Sequence, residues 1–231
     1  MSSRYDDEIR PPTGLPAIPA GEFSQWLHAT EASLASGNGA ANVPCGSCRG
    51  CCRSSMFIHI RPEETRTIHR IPRALLYPAP GLPKGHLLMG YTDKGECPML
   101  ILNNCSIYED RPQTCRDYDC RVFAATGISV DAQFQPEIAQ RIKQWVFAFK
   151  SETIRDEHKN VQETAAFLED NRDLFPQGSL PVYPVQLAAL AVEVNRLFFD
   201  QKARKQMDDG ATSDTEIAQA ILAVLSEQGR P

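Results

Sequence analysis

Apolar residues along this chain recur first at helical spacing. Phe23, Trp26, Leu27 and Leu34 share one face, which predicts an amphipathic helix from Glu22 to about Ala35. Ser36-Gly37-Asn38-Gly39 supplies its stop. Ahead of it, residues 1–20 carry Pro11, Pro12, Pro16 and Pro19 among charged and small residues, the composition of a flexible tail. The pattern then shortens. Met56 to Ile60 reads as a strand, and Pro62-Glu63-Glu64 opens a helix, because proline suits the first turn and acids favour the positive helix end. The prolines and glycines of 72–85 predict a loop. Leu87 to Thr92 and Cys97 to Leu102 flank Asp93-Lys94-Gly95, a hairpin signal. Asn103-Asn104 offers a second turn before a third short strand, Cys105 to Tyr108, and Arg111-Pro112 starts a helical turn.

Beyond residue 131 the period is helical again. Ile138, Ile142, Trp145, Val146 and Phe149 form one stripe, and 157–175, 184–200 and 213–227 supply three further helices. The expected fold class is α+β: a small cysteine-rich metal-binding module with a short β-meander, followed by a helical C-terminal region. The expected division is 1–20 tail, 21–130 cysteine-cluster module and 131–231 helical region.

The bulk numbers restrict the function class. A chain of 231 residues with 42% hydrophobic residues can bury a sizeable core. A net charge of -5 argues against a broad nucleic-acid footprint. The N-terminal residues have no apolar core of a signal peptide, and no stretch is long and apolar enough for a bilayer. The expected address is the cytoplasm, with neither a membrane nor a nucleic-acid partner. There thiols stay reduced.

All eight cysteines fall between Cys45 and Cys120. The first block, Cys45-Gly46-Ser47-Cys48-Arg49-Gly50-Cys51-Cys52, has the C-x-x-C spacing that turns two sulfurs toward one ion from a tight loop, and its glycines suit the turns. The second comprises Cys97, Cys105, Cys115 and Cys120, which a hairpin and a helical start would gather. Neighbouring side chains usually point apart, so Cys51 and Cys52 are expected to serve different irons or different centres. Eight thiolates could make two tetrahedral zinc sites, two four-iron clusters, or one of each. The pairing stays open. Arg49, Arg53, Arg111, Arg116 and Arg121 lie near cysteines, with a charge that would offset an anionic centre of either kind.

The first block together with C-P-x-L at Cys97, C-S-I-Y-E-x-R-P-x-x-C-R from Cys105 and the closing Cys120 resembles the CxxCxxCC, or YkgJ-like, cysteine-cluster family. That family is described as zinc- or iron-chelating and often labelled an iron–sulfur oxidoreductase. The region is also similar to the cysteine segment of flagellin lysine N-methylases, which are associated with an iron–sulfur cluster. The resemblance implies Cys45, Cys48, Cys51, Cys52, Cys97, Cys105, Cys115 and Cys120 as metal ligands, and the charge of Arg111 and Arg116 makes them the expected cofactor-binding residues. The cofactor it implies is an iron–sulfur cluster, such as a 4Fe-4S cluster, or zinc.

No GxGxxG, GxxxxGK[ST], GxSxG or HExxH pattern occurs, and no catalytic residue is assigned. Three classes of activity remain: a redox or protein-modifying iron–sulfur protein, a structural-zinc module whose C-terminal helices hold a protein partner, and a metal chaperone or store.

Overall fold

The computed structural model describes residues 14–39, 41–207 and 213–227. Most of the stretch read as a tail, residues 1–13, lies outside the described residues. The described part of that stretch includes the start of a strand, β1 (Ile18–Glu22), which leads directly into helix α1 (Phe23–Ser36). Gly37 ends α1 in the left-handed conformation at φ 63, and its amide bonds back to Ser33.

A small sheet follows. β2 (Ile58–Ile60) is succeeded by α2 (Thr65–Arg70), β3 (Leu76–Pro78) and β4 (Leu87–Met89). β4 lies centrally, antiparallel to both β2 and β3. The hairpin expected around Asp93-Lys94-Gly95 therefore has its turn but not its pairing: Gly95 N bonds Thr92 O, while the partners of β4 come from 58–60 and 76–78. Alternation alone could not see that the proline-rich segment 72–85 supplies a strand. The hairpin that does form joins β5 (Leu100–Ile101) and β6 (Asn104–Cys105).

Two short helices carry the last cysteines, α3 (Gln113–Asp117) and α4 (Arg121–Thr126), with Cys120 as the residue that precedes α4. Then come α5 (Pro136–Ile142), β7 (Trp145–Ala148), α6 (Glu152–Asp170), α7 (Pro184–Met207) and α8 (Asp214–Glu227). The stripe expected to be one helix through Phe149 breaks at 143–144, and Trp145-Val146-Phe147 runs as a strand. These are residues that fit a pleated, half-buried surface, and β1 lies parallel beside them. The fold is mixed α+β, with the cysteines in the N-terminal half and the long helices behind them.

Two cores result. The larger unites α1, α4, α6, α7 and α8, with Phe23, Leu27, Phe123, Leu168, Leu187, Leu190 and Ile221 at most 2% exposed. Each such side chain contributes about 1.5–3 kcal/mol by leaving water. Phe23 packs edge-on to Phe147 at 5.4 Å, which fastens α1 to the β1–β7 seam. The smaller core is six residues: Ile58, Ile60, Ile71, Met89, Met99 and Ile107. Because α1 is built into the larger core, residues on both sides of 130 share it.

Candidate metal centre

The first cysteine block is a chain of tight turns. Cys48 N bonds Cys45 O at 3.0 Å, and Gly46 between them has φ 56, a conformation that glycine adopts at the least cost. Gly50 is needed for a different reason than its backbone angle. A methyl there would stand 3.1 Å from the backbone nitrogen of Ile138, so glycine lets the turn Gly50–Arg53 press onto the start of α5.

Main-chain bonds dock this block on the second. Cys97 N donates to Cys52 O at 2.7 Å and Ser55 N to Gly95 O at 3.0 Å. Arg49 grips the β5–β6 turn through Asn103 O at 2.9 Å. Arg53 reaches Asn103 Oδ1, Glu96 and Glu137, joining the hairpin to α5. Both arginines thus order loops around the sulfurs as well as offsetting charge.

α3 is held by residues that no motif marks. Glu64 accepts from Arg61 N with one oxygen and from Gln113 N with the other, linking the approach to α2 to the start of α3. Thr114 Oγ1 donates to His59 O on β2, and Thr67 Oγ1 to Asp110 O. An acid three residues after a helix approach, or a threonine beside a cysteine, carries no signal until its tertiary partner is known. Arg111 lies over the Tyr108 ring at 4.1 Å and its charge acts on Cys105 and Cys115. Arg116 instead donates to the carbonyls of Arg111 and Glu109, so it braces the loop before α3.

All eight cysteines are free thiols. Cys51 is exposed and Cys120 buried; the rest are half-buried. Burial raises the thiols of Cys45, Cys97, Cys105 and Cys115 above the ordinary range, and pushes Cys120 up to about 12. Cys52 is raised first by a hydrogen bond with Cys51 and then by burial. The thiol of Cys51 thus acts directly on that of Cys52, so the adjacent side chains do not turn fully apart.

Among the described residues, no three Cys, His, Asp or Glu side chains already stand around a single point as metal ligands. The donor set nevertheless fits a soft metal. The sulfurs are neighbours, and several are met by N–H groups: Gly50 N at 3.5 Å from Cys48 Sγ, Trp145 Nε1 at 3.3 Å from Cys120 Sγ, the amides of Met99 and Leu100 toward Cys97, and that of Ile107 toward Cys105. Such donors stabilise sulfur as thiolate, the form that binds metal.

Beside the centre, a groove of about 600 Å³ runs between α1 and the segment from Asp117 to Val122. Its wall includes Tyr118, which the thiols of Cys48, Cys51 and Cys120 also influence. Asp119 and Arg121 line it as an ion pair at 2.7 Å. None of the helices among the described residues is long and apolar enough to cross a membrane.

No curated protein and no solved structure matches the chain significantly. A family model does, over residues 44–138: CxxCxxCC, described as "Putative zinc- or iron-chelating domain". The match begins one residue before Cys45 and ends within α5, so it takes in every cysteine and the first residues of the helix on which Gly50 rests. Residues 44–138, set between the first helix of this chain and its long C-terminal helices, are similar to the zinc- or iron-chelating domain that the CxxCxxCC family model describes.

Proposed function

We propose that the protein holds iron in iron–sulfur form, bound as thiolates by Cys45, Cys48, Cys51, Cys52, Cys97, Cys105, Cys115 and Cys120, and that this iron exchanges electrons with a partner. The observation that carries the reading is the exposed Cys51 beside the half-buried Cys52. One edge of the sulfur array meets solvent while the remainder sinks into the fold, an arrangement that brings a bound cluster within short reach of a redox partner. When bound, the cluster supplies one-electron chemistry. The chain's own residues orient the sulfurs through the N–H donors of Gly50, Ile107 and Trp145, and Arg49, Arg53 and Arg111 offset the negative charge.

A structural-zinc reading is favoured by one feature, the Cys45-x-x-Cys48 turn with Gly50 N directed at Cys48 Sγ, which is the form of a zinc knuckle. Anaerobic purification with an absorption spectrum and elemental analysis decides between them. A brown protein with a broad band near ~400 nm is the expected result for thiolate-to-iron charge transfer. A colourless protein with stoichiometric zinc establishes the second reading, and a chain holding neither metal overturns both.

A further inference from the structure

The eight cysteines do not form one undifferentiated cluster. Cys97, Cys105 and Cys115 pack on the small sheet core. Cys52 joins them through the bond from Cys97 N to its carbonyl. Cys105 stands across the β5–β6 ladder from Leu100, whose amide bonds back to Cys97 O. Each of these four thiols is within electrostatic reach of the other three.

The other set lies against the helical core. Cys120 is part of that core, 9% exposed, with the Trp145 indole on its sulfur. Arg141 covers the face of the same indole at 5.6 Å and reaches Cys45 O at 3.4 Å, so one arginine and one tryptophan connect Cys45 to Cys120. Val43, just ahead of Cys45, packs on this core too. Cys48 acts on Cys45, Cys45 and Cys48 act on Cys120, and Cys48, Cys51 and Cys120 all act on Tyr118. Cys51 and Cys52 are where the two sets touch.

We infer that the protein carries two four-thiolate centres: one of Cys52, Cys97, Cys105 and Cys115 on the sheet core, and one of Cys45, Cys48, Cys51 and Cys120 on the helical core. The inference rests on the proposed thiolate binding and adds which cysteines share a metal. The adjacent pair is divided between the centres, and this is how two neighbouring cysteines serve without crowding one ion. Four thiolates complete either one tetrahedral ion or one four-iron cluster, so the division holds for both metals. The centres differ in access. The set containing exposed Cys51 opens to solvent, whereas Cys97, Cys105 and Cys115 are half-buried against the sheet core.

The test titrates cobalt(II) into the reduced, metal-free full-length chain and follows the thiolate-to-cobalt charge-transfer and d–d bands. The wild type is expected to saturate at about two equivalents per chain, as two tetrahedral four-sulfur sites require. Cys97→Ser and Cys97→Ser/Cys105→Ser each retain about one, as does Cys45→Ser, while Cys45→Ser/Cys97→Ser retains none. Saturation of the wild type at one equivalent, or a pair within one set behaving like a pair across sets, overturns the division. Absence of any charge-transfer band overturns thiolate binding itself, a separate outcome. A second measurement needs no variant. Thiol alkylation read by mass spectrometry during chelator challenge of the metal-loaded wild type is expected to release Cys45, Cys48, Cys51 and Cys120 together and the other four later. Release of all eight as one group overturns the proposal even where a serine variant does not fold.

Discussion

The indole N–H of Trp145, on the strand that pairs with the start of the chain, donates to the sulfur of Cys120 at 3.3 Å. Both groups are buried. The helical core is thereby in direct contact with a candidate metal ligand. Trp145→Phe keeps an aromatic ring and removes the donor. Metal is expected to leave the Cys120 set several-fold faster under chelator challenge, in line with the cost of losing an outer partner of a ligand. Far-UV circular dichroism should stay unchanged. An unaltered release rate would show that the indole only fills space.

Asp119 and Arg121 are 11% and 12% exposed and bonded at 2.7 Å, and Trp26 Nε1 donates to the same carboxylate at 2.9 Å. Arg121 also reaches Ala20 O on β1. Asp119→Ala leaves a buried guanidinium and an indole without their acceptor, an expected loss of about 3–5 kcal/mol. Denaturant unfolding of the metal-free chain measures it, and a loss below about 1 kcal/mol would place the pair in the range of a surface bridge.

Leu102 sits at the β5–β6 turn with φ 47 and is 92% exposed. It buries nothing and occupies a conformation that asparagine or glycine adopts at less cost. Leu102→Asn is expected to stabilise the fold by about 0.5–1 kcal/mol through relief of that conformation. Chemical denaturation reads the gain. An equal or lower midpoint would mean that the leucine is held there by contacts of its own.

His158 lies among Phe23, Phe147 and Phe149, and its Nε2 is buried without a hydrogen-bond partner. Burial lowers its pKa, against an opposing pull from the carbonyls of Ala124 and Ala125. The folded chain therefore takes up this proton at lower pH than the unfolded chain. Stability from the neutral ring is present above the unfolded value of 6.5 and is lost as pH falls below it. Melting curves between pH 8 and about 5 should fall less steeply for His158→Phe than for the wild type. Parallel curves would remove His158 as the source.

Much of this structure was readable from spacing. Phe23, Trp26 and Leu27 marked α1, Gly37 marked its end, and the clustering of Cys45 to Cys52 with Cys97 to Cys120 marked the metal-chelating segment. Long-range pairings left no such trace. Ile18 and Trp145 are parallel partners across more than a hundred residues, and local pattern assigned one to a tail and the other to a helix. The same applies to Glu64 and Thr114, which set α3 in place through backbone groups far away in sequence. The division inferred for the cysteines left no trace in the sequence because it depends on which core each cysteine packs against, and the cores are assembled from non-contiguous segments.

The sheet core bears on how metal and fold depend on each other. Six buried side chains are too few to hold a sheet of two- and three-residue strands by burial alone. Stripping the metal should therefore raise hydrogen exchange across β2, β4, β5 and β6 well before it does so in α6 and α7. Uniform exchange along the chain after chelation would show that the sheet is stable unaided.

The parallel seam between Ile18–Glu22 and Trp145–Ala148 has a kinetic consequence. Contacts between residues so distant in sequence form slowly, because a long loop must close before any bond rewards it. Every cysteine lies inside that loop. During biosynthesis the thiols leave the ribosome before the strand and helices that will cover Cys120, so there is an interval in which a metal donor can reach them from all sides. Cofactor delivery to the inner sulfurs is then a matter of timing as much as of affinity.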